Sequence, residues 1–169
     1  MGLFTPDVTN LRDLYITKLE KALNMEKQIV EKGLPTMIEL ATNPQLQSAF
    51  RTHLEESREH VSRLERILDQ ATGEASESTC KAASALISEA GSDAKDATDS
   101  TVRDVVLIAA GNEVEHHEIA VYGTLATWAS VLGEDAAAAV LEQTLEEEKK
   151  ADELLTALAE QINVEAPVA

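Results

Sequence analysis

Aromatic residues, cysteine and basic residues are all scarce in this chain of 169 residues. Only 3% of the residues are aromatic, whereas Ala, Leu and Glu are plentiful, and this balance favours helices. The single Cys80 excludes an internal disulfide. No run approaches the roughly 18 apolar residues of a membrane span, and no N-terminal stretch is laid out like a signal peptide. We therefore expect a cytoplasmic protein with no membrane partner.

The shortage of basic residues is large: 14 Lys and Arg stand against 31 Asp and Glu, a formal charge of −17. Nucleic acids and anionic membranes are bound by clustered Lys and Arg, so we expect neither as a partner. The excess is compatible with cation binding. An acidic, soluble surface explains it without any ligand, so the charge alone identifies no function.

Helix start and stop signals divide the chain into four long helices, and its length fits one domain over residues 1–169. Thr5-Pro6-Asp7 and Asn43-Pro44 can each open a helix, and Gly73 and Gly133 follow helices where glycine commonly ends them. The predicted helices are A (about 7–41), B (44–71), C (about 99–132) and D (135–162). Gly33-Leu34-Pro35 lies inside helix A and predicts a kink or a local bulge there.

The lengths of the connections predict the topology. Helices A and B, and likewise C and D, are joined by two or three residues, so each pair forms an antiparallel hairpin. The connection over 73–98 is much longer and contains a predicted short helix from Thr79 to Ala90, ended by Gly91. A long crossover between two hairpins is typical of an all-α, ferritin-like four-helix bundle. We expect residues 163–169 to form a disordered tail.

Each predicted helix interrupts its apolar stripe with acids near the midpoint. Helices A and B contribute Glu26, Glu56 and His60, and helices C and D contribute Glu115, Glu118, Glu148 and Asp152. The midpoints of hairpin helices lie at one level, so these groups should meet. Crowded, ionised carboxylates are prohibitive in a core unless they are protonated or neutralised by cations. Oxygen ligands with an imidazole favour iron or manganese, so we predict two Fe or Mn ions.

The spacing of the candidate ligands supports this set. The thirty residues that separate the acids of helices A and B recur between Glu118 and Glu148. The four residues between Glu56 and His60 recur between Glu148 and Asp152. Residues four apart project from one face of a helix and can reach one metal. The two hairpins therefore resemble a weak internal repeat.

Two positions on helix B stay open at this point, and so does the role of the whole cluster. Glu55 is as plausible a ligand as Glu56, and His53 is an alternative to His60, although it is more often a packed or supporting histidine. The acids could also be solvated or paired in salt bridges, but Lys18 and the few other basic residues can hardly neutralise all of them at one level.

Several stretches of the chain are similar to the YciF/YciE family of bacterial ferritin-like stress proteins. They are Met25-Glu26-Lys27-Gln28-Ile29, Ala49-Phe50-Arg51-Thr52-His53-Leu54-Glu55-Glu56, Glu115-His116-His117-Glu118-Ile119-Ala120, Tyr122-Gly123-Thr124-Leu125-Ala126 and Thr144-Leu145-Glu146-Glu147-Glu148-Lys149. The resemblance implies a rubrerythrin-like bundle, usually dimeric, with a di-iron or di-manganese site. Glu115 and Glu118 resemble the Glu-x-x-Glu pair on the third helix of rubrerythrin. This chain departs from the family by one apparent extra residue between Glu26 and Pro35.

Two functions of different classes follow. The first is a di-iron or di-manganese oxidoreductase of the stress response, which would consume a small oxidant such as peroxide or O₂. The second is a non-catalytic dimeric stress or scaffold bundle whose metal site is vestigial or absent. No catalytic triad spacing, phosphate loop or zinc Cys pair occurs in the sequence.

Helix C carries more apolar residues than one stripe can bury, which predicts a homodimer. The additional residues are Val102, Val105, Val121, Leu125, Trp128 and Val131.

Overall fold

The computed structural model describes residues 8–168, which are largely helical and contain no strand. The helices are α1 (Leu11–Gln28), α2 (Leu34–Leu40), α3 (Pro44–Thr72), α4 (Lys81–Asp96), α5 (Ser100–Val131) and α6 (Asp135–Ile162). A π turn, Ile29–Gly33, joins α1 to α2, and a 3₁₀ turn, Asn163–Glu165, follows α6. The all-α, ferritin-like bundle with a helical crossover is therefore confirmed.

Side-chain caps and glycines define the helix ends. The side chain of Asn43 accepts hydrogen bonds from the N–H groups of Gln45 and Leu46, and Pro44 occupies the first position of α3. Asp99 caps α5 in the same way. Gly73 and Gly133 have φ of 86° and 75°, the left-handed conformation in which residues with a Cβ are strained. These signals explain why α3, α5 and α6 begin and end within one residue of their predicted bounds.

The structure corrects the predicted bounds of three segments. Helix α1 begins at Leu11 and not near residue 7, because Asn10 caps it by accepting from the N–H of Asp13; the Thr5–Asp7 signal lies outside the described residues. Helix α4 begins at Lys81 and continues through Gly91 to Asp96. A glycine costs a helix only about 1 kcal/mol, and burial of Ala90 and Ala94 on either side outweighs it. The expected tail starts with the 3₁₀ turn.

The bulge predicted around Gly33 is present as the π turn. A π turn holds one residue more than the α-helical turn it replaces. This accounts for the apparent extra residue between Glu26 and Pro35, and it leaves α1, the turn and α2 as one long, nearly continuous helix.

The hairpins pack side by side, with α3 against α6 and α1 against α5. The crossover helix α4 lies over α1, the π turn, α2 and α5. On α5, Leu125 is fully buried inside the protomer, so it cannot form part of the apolar surface predicted for a dimer, whereas Val131 is 68% exposed. No helix in the described part of the chain is both long and apolar enough to cross a membrane.

Candidate metal centre

Five of the seven predicted ligands are buried together in the middle of the bundle. Glu26 and His60 are fully buried on α1 and α3, Glu118 and Glu148 are fully buried on α5 and α6, and Glu115 is 3% exposed. The acids interrupt the apolar stripes of their helices, as the sequence predicts. The fold therefore brings carboxylates from both hairpins to one level of the core.

These side chains form two groups that share Glu148. In the first group, Glu148 lies with His53, Glu115 and Glu118; in the second, it lies with Glu26 and His60. Within each group, one potential ligand atom from every residue lies within 4.8 Å of the others. Each group could hold a metal ion, and the carboxylate of Glu148 belongs to both.

His60 faces carboxylates with both ring nitrogens. Its Nδ1 lies 2.9 Å from Glu148 Oε1 and 3.5 Å from Glu26 Oε1, and its Nε2 lies 2.9 Å from Glu147 Oε2. The Nε2 contact has hydrogen-bond geometry, whereas Nδ1 approaches its carboxylates without such geometry. Nδ1 is therefore the nitrogen of His60 that is free to bind an ion.

His53 belongs to the cluster, although the sequence favoured a supporting role for it. Its Nε2 lies 3.2 Å from Glu115 Oε1 and 3.7 Å from Glu148 Oε2. The sequence contains a signal for this position, because His53 and His60 are seven residues apart and lie between Phe50 and Leu64 on one face of α3. Residues two helical turns apart face the same way.

Glu56 and Asp152 lie outside the two groups. The side chain of Glu56 is 45% exposed, with Oε2 at 3.6 Å from Nδ1 of His53. Asp152 is partly buried, and its Oδ1 lies 3.3 Å from Nε2 of the exposed His116. Both residues stand at the edge of the cluster, and their ligand roles stay predictions.

Two further contacts were not visible in the sequence. The phenol of Tyr122, which is fully buried, donates a hydrogen bond to Oε1 of Glu26. Glu147 accepts hydrogen bonds from both terminal nitrogens of Arg63, at 2.6 and 3.2 Å. Because Glu147 also contacts His60, a chain of polar groups leads from the cluster toward the surface. Tyr122 and Glu26 are 96 residues apart, and only the folded structure brings them together.

Many polar atoms of the cluster have no hydrogen-bond partner. They are Oε2 of Glu26, both ring nitrogens of His53, Nδ1 of His60, Oε2 of Glu115, and both carboxylate oxygens of Glu118 and Glu148. Buried polar groups are normally paired, because an unpaired one costs about 1–3 kcal/mol. The number and direction of these free atoms fit metal ions, which would bind oxygen and imidazole nitrogen at the same positions.

The carboxyl groups of Glu115 and Glu118 resist ionisation in the absence of metal. Burial and the nearby Glu148 raise the pKa of Glu115 to about 8 against the opposing influence of His53. Burial and the carboxylates of Glu148, Glu26 and Glu115 raise the pKa of Glu118 well above its ordinary value. The metal-free cluster therefore retains protons that divalent ions would displace.

The pKa values of the two histidines are raised, whereas burial alone would lower them. Burial disfavours protonation of His60, but Glu148 and Glu26 outweigh it and raise the pKa to about 11. For His53, burial is likewise outweighed by Glu115, Glu56 and Glu148, and the pKa rises to about 9. Without metal, the imidazoles are thus the cations that partly balance the acids.

An opening between α3 and α6 leads to the cluster. This pocket has a volume of about 110 Å³, and His53 and Glu115 lie at its inner end. Most of its lining is apolar and includes Phe50, Leu154 and Leu155, and Thr52, Glu56 and Lys150 add polar or charged side chains to it. The opening therefore gives small molecules a path to the cluster that passes charged groups.

The fold and the cluster together define a ferritin-like helical bundle with a buried carboxylate and imidazole centre. The family described as "Domain of unknown function (DUF892)" matches residues 10–166, and the chain belongs to this family. The resemblance to YciF-type proteins is confirmed: the chain is 38% identical to Protein YciF of Escherichia coli (strain K12) over 154 residues, covering 90% of this chain and 92% of YciF.

Solved structures support the same relationship. The crystal structure of the E. coli stress protein YciF matches with a TM-score of 0.88 and 37% identity, covering 94% of this chain and 100% of that one. YcfI from Rhodopseudomonas palustris, proposed to be a structural protein, matches with a TM-score of 0.87 and 38% identity, covering 91% and 98%. A Xanthomonas campestris protein, 24% identical with a TM-score of 0.73, shares the fold.

Proposed function

We propose that this protein binds two iron or manganese ions in the bundle core and consumes a small oxidant, peroxide or O₂, in the response to stress. The observation that carries the proposal is the buried cluster of acids and imidazoles, whose free ligand atoms form two groups around Glu148. The stress role is extended from the E. coli relative, whose structure is described as that of a stress protein.

The first group, His53, Glu115 and Glu118, would hold one ion, and Glu26 and His60 would hold the other, with Glu148 between them. Glu56 and Asp152, which their spacing predicts as ligands, lie at the edge of the cluster and outside both groups, so the proposal does not depend on them. The chemistry that such ions supply is the transfer of one electron each, so that hydrogen peroxide and two protons become two waters and an outside reductant restores the ions.

The chain's own residues prepare this centre. Tyr122 fixes Glu26 through its hydrogen bond and leaves Oε2 of Glu26 free. Arg63 holds Glu147, and Glu147 in turn accepts from Nε2 of His60, which orients the ring with Nδ1 toward the cluster. Hydrogen-bonded partners of this kind keep metal ligands in the required orientation. The same contacts give protons a path between the core and the surface.

Metal binding is the first test. Protein freed of metal with a chelator and then titrated with Fe(II) without oxygen, or with Mn(II), should take up two equivalents per chain. Elemental analysis and anomalous scattering would identify the ions and their positions. If carefully loaded protein holds less than one equivalent, the proposal fails and the scaffold function remains.

A non-catalytic scaffold is the second candidate, and the proposed structural role of YcfI favours it. We also propose a homodimer, formed through the apolar residues of α5 that remain partly or largely exposed; Val131 is the most exposed of them. Light scattering at micromolar concentration should give twice the mass of the chain, and a monomer would contradict the dimer.

A further inference from the structure

A second, small and apolar cavity adjoins the candidate metal centre. It lies among the π turn, α2, α4 and α5, and it offers about 20 Å³ to the centre of a water-sized molecule. One water needs about 10–15 Å³ by this measure, so the cavity has room for one water or one diatomic molecule. We name it the apolar chamber.

The inner end of the chamber is formed by two residues of the cluster, His53 and Glu115. They are only 5% and 3% exposed, and both ring nitrogens of His53 and Oε2 of Glu115 lack hydrogen-bond partners. A molecule in the chamber is therefore next to atoms of the first metal group. Both residues also line the opening between α3 and α6, so two cavities adjoin the centre.

The rest of the chamber is almost entirely hydrocarbon. Its walls include Ile29, Met37, Ile87, Leu107 and Val114, and Thr36 is the only other lining residue with a polar side chain. A buried water needs two to four polar partners. Once the ring and carboxylate at the inner end are bound to metal, a water in the chamber would lose most of its partners, whereas an apolar molecule would lose nothing.

Glycines keep the chamber small and bring its walls close together. A Cβ at Gly33 in the π turn would lie 3.3 Å from Cγ1 of Ile87 on α4. A Cβ at Gly91 would lie 3.8 Å from Cγ2 of Thr36, an ordinary contact distance. The crossover helix therefore closes the chamber, and a single added methyl group can be placed in its wall without strain.

We propose that the apolar chamber is the docking site of dioxygen beside the metal centre, while water, ions and peroxide use the opening between α3 and α6, which carries Glu56 and Lys150. This inference rests on the proposed function, and it names which of the two oxidants has a dedicated place. Dioxygen is a small apolar molecule that needs no hydrogen bonds, and it fits the volume and the lining of the chamber.

Xenon tests the chamber without any reaction. Xenon is an apolar atom that binds in dry cavities. Metal-free crystals under xenon pressure, or ¹²⁹Xe exchange in solution, should show one site in contact with Ile87 and Leu107. Ala90→Leu adds three carbons to the wall and should abolish the site. The matched control is Ala85→Leu, the same change at an exposed position of the same helix, and it should bind xenon as the wild type does.

The kinetic test compares two oxidants on protein loaded with Fe(II). We expect Ala90→Leu to lower the ratio of the oxidation rate with O₂ to the rate with hydrogen peroxide by about tenfold, because access to the centre is blocked for one oxidant. Gly91→Ala, which adds only one methyl group, should lower the ratio less and serves if Ala90→Leu folds poorly. Ala85→Leu should leave the ratio unchanged.

Failure of the docking site and failure of the proposed function give different experimental results. Absence of xenon from the chamber, or an unchanged ratio in a variant that has lost xenon, overturns the docking site. The metal titration is read before any oxidant is added, so protein that binds no iron reports failure of the proposed function itself, and with it the oxidant role of the chamber. Loss of xenon together with the lower ratio supports the proposal.

Discussion

Helices α3 and α6 are the second helices of the two hairpins, and equal spacing predicts equal roles for their candidate ligands. In the structure, the acid is buried on one helix and the second candidate ligand is buried on the other. Glu148 of α6 is buried while Glu56 of α3 is 45% exposed, and His60 of α3 is buried while Asp152 of α6 lies at the edge. Equal separation along the chain therefore does not make two helices present equivalent residues to the core.

The reason is a rotation of the helices. On α3 the buried line runs through Phe50, His53, Ser57, His60 and Leu64, in steps of three and four residues. Glu56 is one residue away from that line, and one residue turns a helix by about 100°. The buried members of the line carry imidazoles, whereas α5 and α6 supply only carboxylates, so the two halves of the centre differ chemically.

The largest effect should come from Glu148→Gln, compared with Glu56→Gln. Glu148 belongs to both groups, so its loss should weaken metal binding at least about 100-fold, whereas Glu56→Gln should change it less than about threefold. Titration calorimetry with Mn(II) measures both. If Glu56 is a ligand, as the spacing predicts, the two variants will lose comparable affinity.

Loss of a buried acid should increase the stability of the metal-free protein, although it decreases metal affinity. Glu115→Leu should stabilise the metal-free protein by about 2 kcal/mol, because a hydrocarbon of similar size replaces a buried acid whose Oε2 has no hydrogen-bond partner, and this gain should exceed the loss of the contact between Oε1 and His53. Glu56→Leu is the control at an exposed position and should have little effect. Urea unfolding with a chelator present provides the measurement, and destabilisation by Glu115→Leu would mean that this carboxyl group supports the fold.

The stability of the metal-free protein and that of the metal-bound protein should depend on pH in different ways. The pKa of Glu115 rises from 4.5 to about 8, and those of His53 and His60 rise from 6.5 to about 9 and about 11. In each case the folded state holds the proton more tightly, so the contribution of these groups to stability is largest at low pH and falls as pH rises through the folded pKa values. Near neutral pH we expect each of the three groups to lower the stability of metal-free protein by about 1 kcal/mol per pH unit.

Metal should reverse that trend, because ligands must release their protons to bind it and affinity therefore increases with pH. Unfolding curves at several pH values, with chelator and with excess Mn(II), would show opposite slopes. Parallel slopes would mean that these residues do not bind the ion.

The smallest effect should come from Asp152→Asn. Asp152 lies outside both groups, with Oδ1 3.3 Å from Nε2 of the exposed His116, and the amide oxygen of an asparagine can keep that contact. We expect near-normal stability and near-normal Mn(II) affinity. A loss as large as that of Glu148→Gln would instead give Asp152 the ligand role that its spacing predicts.

The fold could be predicted because its signals are local. Asn43-Pro44, Gly73 and Gly133 mark helix ends, and connection length distinguishes a hairpin from a crossover. The centre could be predicted only in part. Acids in apolar stripes are visible in the sequence, but helix rotation is set by packing between distant segments. That is why the sequence favours a supporting role for His53 and does not reveal the hydrogen bond from Tyr122 to Glu26.

The π turn allows the two parts of one long helix to be rotated differently about the helix axis. Before the turn, α1 is oriented so that Glu26 points at the candidate metal centre. After the turn, α2 is oriented so that Leu34 and Met37 are buried in the core. Removing one residue from Ile29–Gly33 would restore a regular helix and turn one part against the other by about 100°. Either the ligand or the apolar residues would then leave the interior, so the extra residue is what allows a metal ligand and a hydrophobic wall to share a single helix.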